Sequence, residues 1–415
     1  MIDRRSLLRA LGGHGLADWV LVERDQTLGI VDERTKLHRT EKRTRWLLTV
    51  HRDSPAGRGS AHVAIDALGS SADAIVEQAV ALAGSSLGPA WLTQPLAAPA
   101  RVRLEDLTIG KREPLDVAVE LTKRLPRPTD MIATASVARE QVRVASRQGL
   151  RTEWNETLYR VELWLAGGGR SLLVERVARQ REGLDVDRAI ASAAEDLTAL
   201  AAAAAPTAGP CAVVLGPDAL LHGGLGVWGA FENQANAIVE RQGLTRYREH
   251  APIVPGADRI HEPLAIASDG ALDYGVRSAP VGDEGEPVRR FMLVERGIAA
   301  GLGLSPREAA LRGRDANGGV RNLIVAPGSW SGTGDPATRV VEVRRLRSLS
   351  IDPYTGEASL EIGLALDRGK PISGGSLRID LIAALARARR SAAVVARGAY
   401  KGPQAVLIER AELIT

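Results

Sequence analysis

Cysteine is nearly missing from this chain: its 415 residues contain one, Cys211. A disulfide framework and a zinc site built from several cysteines are thereby excluded, and a reducing compartment is the natural home. Cys211 opens the apolar run 211–215, which marks it as a buried structural thiol. Aromatic residues are scarce too, at 3%, so Ala, Val, Leu and Ile must fill the core. No run approaches the ~18 apolar residues of a membrane span. Arg4 and Arg5 superficially resemble a twin-arginine export signal, but Arg9, His14 and Asp18 interrupt the apolar region such a signal needs. The expectation is a short amphipathic helix over residues 6–11 and a cytoplasmic protein. A dominant charge is also lacking. With 54 Lys and Arg against 50 Asp and Glu, the net +4 is too small for this length to argue for nucleic acid.

What is present is a globular composition, 45% hydrophobic and 25% charged, in a chain too long for one ordinary core. Alternation predicts strands at 19–23 and 27–31, joined by a tight turn at Arg24-Asp25-Gln26. The basic segment 34–45, with Lys36, Arg39, Lys42, Arg43 and Arg45, reads as a solvated strand face or as a surface for an acidic partner. Strands at 45–51 and 60–65 and a helix over 71–83 follow, then a proline-containing loop at 88–100. A helix over Pro114–Arg124 is stopped by Pro126 and Pro128. Strands are then expected at 131–137, 141–146, 156–165 and 171–177, the last hairpin turned by Gly167-Gly168-Gly169, before an alanine-rich helix over 187–205 with Asp187 at its start. Strands closed by a helix, twice, suggest a pseudo-duplicated α+β domain over 1–207. Pro206 to Pro210 marks the boundary. Strand candidates at 288–295, 319–326, 340–346, 358–366 and 405–413 make 208–415 a mostly antiparallel, barrel-like β domain.

The densest local signal is Leu220-Leu221-His222-Gly223-Gly224-Leu225-Gly226-Val227-Trp228-Gly229-Ala230-Phe231, which precedes a helical segment at 232–242. Glycines packed this closely imply positive φ or a close approach to the backbone. Gly224 to Gly229 matches G-x-G-x-x-G literally. A dinucleotide site, however, needs the first glycine directly after a strand and a second parallel strand beyond it. Gly216-Pro217 breaks the strand here, and Pro252 and Pro255 interrupt the place of the second. Zinc needs three or four converging ligands. His222 has no histidine or carboxylate at 225–227, His261-Glu262 runs into Pro263, and His14, His38, His51, His62 and His250 are isolated. Serine lacks a G-x-S-x-G frame. The acids Asp283 and Glu284 lie in a loop, Gly282-Asp283-Glu284-Gly285-Glu286-Pro287, that reads as a turn between strands.

Several segments together resemble the TldD/TldE family, whose TldE member is also called PmbA. Residues 213–217 lead into Leu220-Leu221-His222 as in that family. Residues 282–287 and 291–297 are similar to its D-D-E-G-x-P and L-I-E-x-G motifs, and 322–328 to its N-x-x-x-x-x-G. Pro371-Ile372-Ser373-Gly374 and Gly402-Pro403 also fit. In TldD the segment after the strand is H-E-x-x-x-H, with two zinc-binding histidines, a general-base glutamate and a late cysteine. Carried over, the first histidine is His222, the glutamate becomes Gly223 and the second histidine becomes Val227; no cysteine follows Cys211. The resemblance therefore implies a TldE-like subunit with no catalytic residues, no metal and no cofactor of its own. Zinc is expected only in an H-E-x-x-x-H-bearing TldD-like partner, and the pair would admit unfolded or leader peptides to a chamber for proteolysis. No nucleic acid or membrane partner is implied. Two alternatives remain: a stand-alone peptide-binding or regulatory homodimer of the same fold, and a nucleotide-dependent enzyme using Gly224 to Gly229.

Overall fold

A computed structural model describes residues 3–66, 71–93, 98–127, 130–332 and 339–415. The expected stop at Pro128 and part of the loop 88–100 lie outside them. The N-terminal half is one seven-stranded antiparallel sheet. Helix α1 (Arg4–Gly13) leads into β1 (Asp18–Asp32), β2 (Leu37–Ser54), β3 (Gly57–Asp66), helix α2 (Ala72–Ser85) and the short β4 (Leu87–Gly88). Helix α3 (Pro114–Arg124) then leads into β5 (Met131–Ser146), β6 (Arg151–Gly167), β7 (Arg170–Ala178) and helix α4 (Val186–Ala201). The strand order β4-β3-β2-β1-β5-β6-β7 sets the two helix–three-strand–helix units side by side, joined by β1 against β5. This is the expected pseudo-duplication, seen in topology.

All four helices lie on one face of this sheet, because alternate strand residues point there. Leu7, Leu11, Val76 and Ala79 of α1 and α2 pack with Leu21 and Leu48, while Ala118, Leu121, Ala189 and Ala193 of α3 and α4 pack with Val137 and Leu163.

Two strand expectations are corrected. Arg24-Asp25-Gln26 is not a turn, since β1 runs unbroken across it, and the strands expected at 131–137 and 141–146 are one strand, β5. The polar residues that suggested breaks are cross-strand partners. Arg24 donates to Glu140 at 2.9 Å, Arg143 to Asp25 at 2.7 Å, and Thr44 to Asp25 at 2.7 Å. Satisfied this way, they continue the ladder. Asp187 falls in the first turn of α4, and the glycine hairpin after β6 forms with Gly168 and Gly169 at positive φ.

The C-terminal half begins with β8 (Gly209–Leu215) and the short helices α5 (Pro217–Leu220), α6 (Gly229–Gln234) and α7 (Ala237–Arg241). The single helix expected over 232–242 is thus two, because Asn236 caps α7, its side chain accepting from Ile238 N at 2.9 Å. Next come β9 (Ile266–Asp269), β10 (Arg290–Glu295), β11 (Ile298–Ala299), helix α8 (Pro306–Leu311) and β12 (Asn322–Val325). The chain ends with β13 (Val340–Ile351), β14 (Glu357–Asp367), β15 (Lys370–Ile372), β16 (Ser376–Asp380), helix α9 (Leu381–Arg387), β17 (Arg389–Arg390), β18 (Val394–Arg397), β19 (Tyr400–Pro403) and β20 (Val406–Ile414).

Five of these strands close on themselves in the order β13-β8-β20-β16-β14, with β14 returning to β13. Closure removes the sheet edges. Val213, Leu215, Val341, Val343, Leu360 and Ile362 belong to the core of this half and are fully buried. A second sheet, β11-β10-β9-β12-β19-β18, packs beside the barrel. The α+β class with a barrel-like C-terminal β region is therefore the observed one. Among the strand pairs of the described residues, β8–β13 and β12–β19 are the parallel ones. No helix among the described residues is long and apolar enough to cross a membrane.

Candidate functional site

The glycine-rich stretch sits where the barrel meets the N-terminal sheet. Strand β8 ends at Leu215, α5 intervenes, and residues 221–225 turn into a 3-10 segment, Gly226–Trp228, that runs into α6. Gly223, Gly224 and Gly226 have φ of +67°, +107° and +54°. At Gly226 there is a second constraint, since a Cβ would lie 2.0 Å from the Leu220 carbonyl oxygen. Around Gly223 and Gly224 nothing lies within 4 Å of such an atom. The glycines thus shape a tight reversal. A helix separates them from β8, whose parallel neighbour is β13, and residues 245–260 hold no strand, so the frame of a dinucleotide loop is not assembled.

The three motif positions have different fates. His222 is half-buried in the turn, with no side-chain hydrogen-bond partner among the described residues, and burial lowers its pKa. Gly223 is exposed. Val227 is fully buried in the same core cluster as Leu220, Trp228 and Phe231. Trp228 stacks on Tyr400 with ring centroids 6.0 Å apart, and the Tyr400 hydroxyl donates to the Pro403 carbonyl at 2.9 Å. These positions do not fit zinc: one imidazole is offered where three or four ligands are needed. Among the described residues no three His, Cys, Asp or Glu side chains group closely enough to hold a metal. Cys211, the only thiol, is buried in the barrel wall, and burial pushes its pKa up.

Around this stretch the two halves of the chain are fastened by charge. Asp218, in the first turn of α5, accepts from Arg397 at 2.6 Å and from Arg176 of β7 at 3.0 Å, and lies 3.1 Å from Arg345. Arg345 also donates to Asp196 of α4 at 2.7 Å. Burial by itself would raise the Asp218 carboxyl, but the guanidiniums of Arg345, Arg397 and Arg176 hold it below the ordinary value. Arg176 moves the other way, down to about 10, because burial and the neighbouring Arg397 and Arg345 outweigh Asp218.

The loop 282–287 forms a second fastening, and here the structure assembles groups that are scattered in sequence. Gly282 N donates to the Glu286 carbonyl at 2.8 Å, and Glu284 N to the Glu286 carboxylate at 2.9 Å. The loop presses on the helix-free face of the N-terminal sheet, where Val281 joins Val20, Val22, Val142 and Val144. Asp283 approaches Arg24 at 3.7 Å, and Glu284 approaches His51 Nε2 at 3.8 Å. Burial, then Glu286 and Asp283, push Glu284 up to about 7, with Arg307 opposing. His51, its Nδ1 2.8 Å from the Ser60 hydroxyl, is pushed down to about 3 by burial, Arg58 and His62. At neutral pH the imidazole is therefore uncharged, and its contact with Glu284 is not an ion pair. Arg179 adds a third link, donating to the carbonyls of Gly275, Val276 and Ser278 at 2.9, 3.2 and 3.3 Å. His51 and His62 are not isolated in space. Ser60 and Thr49 on the neighbouring strands meet their Nδ1 atoms at 2.8 and 3.0 Å, and only Glu284, the acid that approaches His51, comes from the other half of the chain, where spacing gives no sign of it.

The architecture defines a two-part α+β protein, a helix-backed antiparallel sheet joined to a closed barrel. Residues 253–412 match the family described as the PmbA/TldA metallopeptidase C-terminal domain. The fold is shared with solved structures along the whole chain. One is described as TldE from Thermococcus kodakarensis, at TM-score 0.74 and 15% identity over 99% of both chains. Another is described as a putative modulator of a DNA gyrase from Thermotoga maritima, at TM-score 0.75, 15% identity and 99% coverage of both chains. A third carries the same kind of description from Bacteroides thetaiotaomicron, at TM-score 0.76, 14% identity and full coverage of both. Among curated proteins no sequence match is found.

Proposed function

We propose that this chain is the non-catalytic, TldE-like subunit of a two-chain zinc metallopeptidase, walling a chamber in which a TldD-like partner cleaves unfolded or leader peptides. The observation that carries the reading is the pair Gly223 and Val227. The positions of the base and of the second zinc ligand in H-E-x-x-x-H are here a residue without a side chain and an aliphatic side chain packed into the core. Activated water on zinc needs several ligands and a base, and neither is supplied at this turn. The match of residues 253–412 to a metallopeptidase family's C-terminal domain supports the pairing, because a chain with this fold and no metal ligands at the turn gains a role by completing a partner's site. An obligate pair of this kind buries on the order of 2,000 Å² or more.

The test is co-expression with an H-E-x-x-x-H-bearing homologue, followed by light scattering, metal analysis and a casein digestion assay. The expected result is a one-to-one complex with zinc and chelator-sensitive cleavage, while the chain alone binds no stoichiometric zinc and cleaves nothing. One zinc per isolated chain with cleavage overturns the reading, and a stable homodimer that ignores the homologue favours a stand-alone peptide-binding protein.

A further inference from the structure

Strand β2 changes neighbours halfway along its length. It pairs with β1 throughout, from Leu37 opposite Asp32 to His51 opposite Asp18. Its other side pairs with β3 only from Arg45, opposite Asp66, to Ser54. Residues 37–44 therefore form a sheet edge on which no described strand takes up the outward amides and carbonyls. Eight residues at ~3.3 Å each give roughly 26 Å of open ladder. Both faces are open as well, since Leu37, His38, Arg39, Thr40, Lys42 and Arg43 are all exposed.

The edge is also strongly basic. Lys36, Arg39, Lys42, Arg43 and Arg45 stand against one carboxylate, Glu41, which is held by Arg39 at 2.6 Å and also contacts Arg43. Lys36 and Lys42 have no carboxylate partner among the described residues. Alternation puts Lys42 on one face of the strand and Arg39, Arg43 and Arg45 on the other, while Lys36 stands in the turn just before the strand, at φ +55°. Charge on an edge strand guards against pairing with another sheet. Against a second copy of this chain the guard works, because antiparallel self-pairing opposes cation to cation. Against an acidic strand the same charges attract.

We propose that the β2 edge at residues 37–44 accepts an extended acidic segment of another polypeptide as an added strand. Backbone hydrogen bonds supply the grip, and the cations on both faces select carboxylates at successive positions. The site stands apart from the pairing proposed above and holds whether or not a catalytic partner exists.

The experiment uses the full chain alone and a fluorescent ten-residue peptide in which Glu and Asp alternate in pairs with Thr and Val. Anisotropy is expected to show saturable binding that weakens with salt, with no binding of the counterpart carrying Lys for each acid. N-methylation of every second peptide amide is expected to weaken binding at least tenfold, and so is the double substitution Lys42→Glu with Arg43→Glu. Hydrogen exchange is expected to slow at residues 37–44 on binding. Both substituted positions are exposed, so the variant should keep the parent melting temperature; Lys42→Ala, with a smaller loss, serves if it does not. Absence of binding, equal binding of the N-methylated peptide, or protection elsewhere on the chain overturns the proposal. So does a Lys42→Glu, Arg43→Glu variant that dimerises while the parent binds no acidic peptide, since the charges would then be a guard alone.

Discussion

Arg176 of β7 donates to Asp218 of α5 at 3.0 Å, and this bond ties the N-terminal sheet to the element that introduces the glycine-rich turn. Asp218 is also the shared counter-charge of Arg345 and Arg397. Asp218→Asn would leave three guanidiniums crowded around a neutral amide, and breaking a buried ion pair from one side costs about 3–5 kcal/mol. Urea denaturation should show a loss of this order. A loss below about 1 kcal/mol would mean that the arginines find other partners, and the fastening would not be the one described.

Glu284 makes stability depend on pH in a direction opposite to that of a salt-bridged acid. Its folded pKa, pushed up to about 7, lies above the ~4.3 of an unfolded glutamate. Between these values the folded chain holds a proton that the unfolded chain has released. The resulting stabilisation is complete below about pH 4.3 and is lost as pH rises through 7. Glu286, also raised by burial, contributes with the same sign. Glu284→Gln should therefore flatten the fall in melting temperature between about pH 4.5 and 7, and stabilise the protein at pH 8 by up to about 3 kcal/mol. An unchanged pH profile would place the carboxyl in water, away from the seam.

How much of this was legible in sequence depends on how local each cause is. The hairpin at Gly168 and Gly169 and the helix Pro114–Arg124 announce themselves, because positive φ and the missing proline N–H act on the residues that carry them. The continuity of β1 and β5 was hidden. Arg24 and Glu140 look like turn residues until their partnership, 116 positions apart, is seen. Closure of the barrel depends on β8 pairing with β13 and β20, which no local pattern encodes. For the candidate site, the departures at Gly223 and Val227 were visible as letters. That Val227 is core, and that His51 and Glu284 meet, belongs to tertiary structure alone.

The glycines of the turn separate steric need from backbone need. Gly226→Ala meets both a φ of +54° and a carbonyl 2.0 Å from the new Cβ, so a loss of about 2–4 kcal/mol is expected. Gly224→Ala meets only φ +107° and should cost about 1–2 kcal/mol. Thermal denaturation of the two variants checks the order. Dinucleotides should not shift either melting temperature, because the strand and second parallel strand of such a site are not in place.

Rebuilding H-E-x-x-x-H in this chain should fail at Val227 before it fails at zinc. Gly223→Glu enters open space, with nothing within 4 Å of its Cβ, and meets only the strain of φ +67°, about 1 kcal/mol. Val227→His puts an imidazole into a site with no exposure, among Leu220, Trp228 and Phe231. A buried polar group without a partner costs about 1–3 kcal/mol, and the two added ring nitrogens also need room in a close-packed core. The double variant is therefore expected to melt well below the parent and to bind no stoichiometric zinc by metal analysis. A variant that kept the parent melting temperature and took up one zinc per chain would show that the turn can turn its side chains outward, and the reading of Val227 as a packed core residue would fall.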